Sequence, residues 1–103
     1  MTSPNKHVRT LLTIITEAAL ENSLIRDFKR LGAKGHTITE ARGSGDRGVR
    51  NAGWESNSNI RIEVICTADV AQAITTYLED HYYANYAMVM FSRDVNVLRP
   101  DKF

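Results

Sequence analysis

Arg47 and Arg50 stand three residues apart in a run punctuated by glycine, GSGDRGVR, residues 43–50. Arginine keeps its charge at any physiological pH, and its planar fork of N–H donors matches a phosphate. Fully extended, the two side chains would sit about 10 Å apart, too far to share one phosphate. Gly48 between them permits the turn that would bring both guanidinium groups inward. Gly43 and Gly45 let backbone N–H groups approach an anion directly. The chemistry this spacing allows is a phosphate clamp made by Arg47 and Arg50; two solvated loop arginines would have the same composition. Asp46 would repel a phosphate unless it capped a backbone N–H or took a ribose hydroxyl. Trp54 is a lone aromatic in a polar stretch, either an anchor for a protein partner or a ring packed on its own loop.

The segment that carries these residues, 43–59, holds four glycines and three asparagines with little apolar periodicity. A mobile loop of this length inside a short chain is usually functional. The elements around it must position it. Residues 7–16, HVRTLLTIIT, read as a buried strand. Leu24, Ile25, Phe28 and Leu31 recur at helical spacing, and Gly32 is a helix stop. Residues 35–42 alternate as a second strand, and Ile60 to Cys66 as a third. Asp69 is the expected cap of a second helix, with Val70, Ile74, Tyr77 and Leu78 as its apolar stripe. Tyr86 to Phe91 is continuously apolar and is expected to be a central strand. Val95 to Leu98 would add a short edge strand.

This strand–helix–strand–loop–strand–helix–strand order predicts an α+β fold of the ferredoxin-like βαββαβ type, an antiparallel sheet with both helices on one face. The whole chain, 1–103, is expected to be a single domain with a flexible loop at about 43–59. Alternate strand residues on the other face are largely apolar, so the sheet should be covered by further copies, as a dimer or as a ring of three.

At 103 residues the chain has room for one compact core. Thirteen basic residues against 12 acidic ones leave a net charge of +1, which argues against a general nucleic-acid binder. One cysteine, Cys66, allows no disulfide within the chain and suits a reducing compartment. No apolar run approaches a membrane span, and no signal-peptide pattern opens the chain. The three histidines have no metal-ligand spacing, and no serine, histidine and acid grouping marks a hydrolase. Catalytic and metal-binding residues are therefore expected to be absent.

Two stretches carry a likeness to a known family. LGAKGHTITEARGSGDRGVR, residues 31–50, resembles PII signalling proteins, in which Gly-x-x-Gly ends a helix and Thr-x-Thr-Glu leads into the T-loop. IRIEVICTAD, residues 60–69, is similar to the strand after that loop. Three separated motifs in order, GAKGHT, the G-x-G-x-R-x-V-R run at residues 43–50 and YxxYAMVMF at 83–91, resemble the SbtB subfamily, partners of the cyanobacterial sodium-dependent bicarbonate transporter SbtA. The resemblance implies a homotrimer with cAMP, AMP, ADP or ATP in each inter-subunit cleft, as a regulatory ligand rather than an obligatory cofactor. It implies control of bicarbonate uptake in a carbon-concentrating mechanism. The protein would then be cytoplasmic, drawn to the inner face of the plasma membrane only by its partner. Arg47, Arg50, Gly43 and Gly45 would take the phosphate. Thr37, Ser44, Ala87 and Met88 would form the adenine and ribose pocket, with Glu63 and Arg99 near it. Met88 reads equally as plain core.

The sequence also departs from PII proteins proper. Its loop lacks their modifiable tyrosine, and HYYANYAM, residues 81–88, lacks their glycine-rich phosphate loop. Triphosphate binding with Mg²⁺ and 2-oxoglutarate is thus not expected. Ordering ten loop residues costs roughly 10–20 kcal/mol, whereas charged hydrogen bonds return only about 1.5–3 kcal/mol each. Nucleotide would order the loop base, residues 43–50, and leave 51–59 for the partner. The other readings are a PII-like sensor for another transporter or a carboxysome-linked system, an RNA-binding ferredoxin-like module, and a small enzyme. No residue stands out as the base for ATP or ADP hydrolysis.

Overall fold

The computed structural model describes residues 7–43 and 58–103. Four strands and two helices follow in the order β1 (Val8–Glu17), α1 (Glu21–Leu31), β2 (Thr37–Ala41), β3 (Asn59–Cys66), α2 (Ala68–His81) and β4 (Met88–Asn96). The strands form one sheet, β2-β3-β1-β4, with every neighbouring pair antiparallel. That is the ferredoxin-like α+β arrangement the element order predicts.

β1 is rich in β-branched residues, which suit a pleated and crowded surface. Residues directly opposite in an antiparallel pair share a face. One row runs Ile38, Ile62, Ile14, Met90 across the sheet beneath the helices. Leu12, Ile14, Ile62 and Val64 meet Leu24 and Phe28 of α1 and Ile74 and Leu78 of α2 in the buried core. Cys66, at the end of β3, is only 2% exposed, and burial pushes its thiol pKa up.

α1 stops where the sequence says it should. Gly32 has φ 110°, and its N–H and that of Ala33 donate to Lys29 O and Phe28 O at 3.3 and 2.9 Å. This left-handed cap suits glycine for a second reason: a Cβ there would lie 3.3 Å from Val70 Cγ2 on α2. The cap of α2 is Thr67 rather than Asp69. Thr67 Oγ1 accepts from Val70 N at 3.4 Å, while Asp69 sits in the first turn, where a carboxylate favours the positive helix end.

β4 differs from its expected place. It is an edge strand, unbroken from Met88 to Asn96, and pairs with β1 from Thr16 back to Val8. Its apolar run reflects two apolar faces and not a central position. Met88 and Met90 pack on the core, whereas Val89 and Phe91, 54% and 50% exposed, point to the side without helices. Val95 to Leu98 therefore adds no separate strand; the chain turns at Val97, whose N–H donates to His7 O at 2.8 Å.

A polar bridge fastens the helices. Tyr82 Oη donates to Asp27 Oδ2 at 2.7 Å, and Arg30 pairs with Asp27 at 3.2 Å. The Arg30 guanidinium lies 4.4 Å from the Tyr77 ring centroid, and His81 stacks on the same tyrosine at 3.8 Å. Burial and the bond to Asp27 raise the Tyr82 phenol from 10.0 to about 12. Its folded value lies above its unfolded one, so its stabilising effect is complete below pH 10 and lost as pH rises through about 12. Tyr82→Phe should be less stable than wild type at neutral pH, with the gap closing across that alkaline window. Urea unfolding at a series of pH values checks this.

Candidate functional site

Thr37, Gly43, Ala87 and Met88 fall within the described residues; Ser44, Gly45, Arg47, Arg50 and Trp54 lie outside them. Thr37 opens β2, exposed, on the face of the sheet without helices. There it lies in register with Glu63, and Glu63 with Thr13. Glu63 forms an ion pair with Arg61 on the same strand at 3.2 Å. Gly43 follows the end of β2 and is exposed. Arg99 is also exposed, at the start of a 3-10 turn spanning Pro100–Lys102. Arg9 on β1 ties that turn down, donating from Nη2 to Pro100 O at 2.8 Å and from Nε to Phe103 O at 3.4 Å.

Ala87 and Met88 lie elsewhere. Met88 is opposite Thr16 in the β1–β4 ladder, and the next row along β1 is Glu17, Asn59, Ala41. Ala87 is thus three strands across from β2 and four residues along from Thr37. At about 4.8 Å between strands and 3.4 Å per residue, that is roughly 14 Å in each direction, or about 20 Å on the diagonal. One adenine ring cannot touch both positions in a single chain. The described residues fall in two candidate half-sites: Thr37 in register with Glu63 on β2 and β3, and Ala87–Met88 at the start of β4 on the opposite edge; Gly43 follows the end of β2.

The second half-site is sealed on its inner side. Ala87 and Met88 are 7% and 4% exposed, and Met88 belongs to the core cluster. Both polar main-chain atoms of Ala87 are engaged: its carbonyl accepts from Thr16 Oγ1 at 2.7 Å, and its N–H donates to Glu17 Oε2 at 2.8 Å. The sequence reading missed Thr16 and Glu17. They end an apolar strand as Thr-Glu, a pattern that periodicity cannot separate from a strand terminus facing water.

A groove of about 300 Å³ lies beside the first half-site, between α1 and the stretch leading into β2. Phe28 and Ala33 floor it, with Lys29, Lys34 and His36 at its rim. Among the described residues no group of three or more His, Cys, Asp or Glu could hold a metal ion. No described helix is long and apolar enough to cross a membrane.

A ferredoxin-like sheet with a long connection between β2 and β3 and exposed apolar side chains on its helix-free face defines a small α+β protein. The chain belongs to the family described as Nitrogen regulatory protein P-II, which it matches over residues 9–102. Proteins of this family are regulatory rather than enzymatic, are oligomeric, and bind adenine nucleotides. The chain is similar to a PII-like signaling protein from Thermus thermophilus, with 43% identity and a TM-score of 0.79 over 93% of this chain and 95% of that one. It is also similar to CPII of Thiomonas intermedia, a nitrogen regulatory PII-like protein bound to ADP, AMP and bicarbonate. Identity there is 26% and the TM-score 0.78, over 93% of each chain. The Bacillus subtilis GlnK–ATP complex shares the fold at 16% identity and a TM-score of 0.68, over 94% of this chain and 99% of that one.

Thr16→Val should destabilise the protein by about 1–3 kcal/mol, because it leaves the buried Ala87 carbonyl without its donor. Denaturant titration measures the loss; a change below a few tenths of a kcal/mol would show the bond to be dispensable.

Proposed function

We propose that this chain is a PII-like regulator of the SbtB type, a homotrimer that binds an adenine nucleotide between subunits and signals through residues 43–59. The observation that carries this reading is the separation of the two half-sites within one chain. Thr37 with Glu63, and Ala87 with Met88, can meet one ligand only if two copies contribute. The half-exposed Val89 and Phe91 on the helix-free face give copies an apolar reason to associate. The bound ADP, AMP and bicarbonate of the CPII relative support the ligand class.

In this reading Arg47 and Arg50 clamp the phosphate, and Gly43, Ser44 and Gly45 bring main chain close to it. Thr37 faces the adenine, while Ala87 and Met88 back the slot through their packing, since the Ala87 polar atoms are already bonded. The ligand is cAMP, AMP, ADP or ATP, with no metal required. Trp54 docks on a membrane transporter, for bicarbonate and of the SbtA kind, which brings the otherwise cytoplasmic protein to the membrane.

Isothermal titration with each of the four nucleotides, beside light scattering for mass, tests this. About one nucleotide per chain and a mass of three chains are expected. Arg50→Ala should weaken binding about 10- to 100-fold, the value of one charged hydrogen bond. A monomer that binds none of the four would refute the reading. Trp54→Ala should impair capture of the transporter and leave nucleotide affinity unchanged; capture unaffected by the substitution would remove Trp54 from the contact.

A further inference from the structure

The ladder between β1 and β4 ends at the pair Thr16 and Met88. One residue beyond it Ala87 is 7% exposed, so its N–H must find a partner other than a ladder carbonyl. Glu17 supplies it, with Oε2 at 2.8 Å, while Thr16 Oγ1 takes the Ala87 carbonyl at 2.7 Å. Glu17 is also in register with Asn59, and Asn59 with Ala41. Ala41 and Asn59 are the residues where β2 ends and β3 begins. A single row thus runs from both feet of the long connection, through Glu17, to the start of β4.

We propose that Glu17 is a positioning residue of the nucleotide site, fixing the start of β4, with Ala87 and Met88, to the end of β1. It does not touch the ligand. It sets where Ala87 and Met88 stand as the backing of the adenine slot. This rests on the nucleotide reading given above. A carboxylate suits the task because a charge-assisted bond to a backbone N–H is shorter and stronger than a neutral one. Glutamine keeps an acceptor of the same reach, and alanine leaves a buried N–H unpaired.

The test compares wild type, Glu17→Gln and Glu17→Ala by titration with AMP and GMP and by amide exchange at Ala87. Glu17→Ala should speed exchange at Ala87, weaken AMP about tenfold and narrow the preference for AMP over GMP. Glu17→Gln should stay close to wild type in all three. If Glu17→Ala does not fold, Glu17→Asp, one methylene shorter, takes its place with the same expectations. Unchanged affinity and base preference with only a lower melting temperature would reduce Glu17 to a structural role and overturn the proposal. Tighter AMP binding would also overturn it, since the carboxylate would then be a competitor for the Ala87 N–H. A wild type that binds no nucleotide refutes the nucleotide reading itself. A wild type that binds, beside a variant that binds equally well, refutes this inference alone.

Discussion

β1 is bonded along both edges, to β3 from Thr10 to Glu17 and to β4 from Val8 to Thr16, and the rest of the structure hangs on that double pairing. A slip of one residue in either ladder would move Leu12 and Ile14 out of the core and put Thr13 and Ile15 in their place. The helices pack only on the face that Leu12 and Ile14 define, so the register of one strand fixes where both helices lie. The same strand ends in Thr16 and Glu17, whose side chains hold Ala87. One ten-residue segment thus sets the sheet and the place of Ala87.

The second face of the sheet explains what a single chain leaves incomplete. Its rows mix Leu11, Ile15, Ile65, Val89 and Phe91 with Thr37, Thr39, Arg61 and Glu63. Full burial of a large apolar side chain contributes about 1.5–3 kcal/mol, so covering this face offsets much of the cost of association. Exposed Thr37 and the Arg61–Glu63 pair flank the apolar centre on the β2 side. They give that face a polar margin of the sort a ligand-lined contact between copies would need.

Much of this was legible in the sequence. Alternation in IRIEVIC and the helical stripe through Leu24, Phe28 and Leu31 are strong periodic signals, and they gave the element order and the core. Gly32 announced a helix stop that the backbone makes with φ 110°. The place of β4 was not legible. A strand apolar on both faces looks the same whether strands or other molecules cover its second side, so composition could not separate an edge from a centre. The cap of α2 was misassigned because threonine and aspartate both cap well, and the two stand two residues apart. At the candidate site the sequence named residue types but not distances. That Thr37 and Ala87 lie at opposite corners follows from strand order, which no local pattern encodes. Glu17 escaped notice because its partner is a main-chain N–H seventy residues away, and such bonds leave no trace in side-chain chemistry.

Cys66 closes β3 opposite Thr10, shielded and with a thiol that resists ionisation. Alkylating reagents attack the thiolate, so the native sheet hides the chain's single reactive sulfur. Exposure requires that end of the β1–β3 ladder, or the helix layer over it, to open. The rate at which a maleimide or an isotopically tagged iodoacetamide enters the protein therefore reads the breathing of the central strand pair, one chemical clock per subunit, with no engineered label needed.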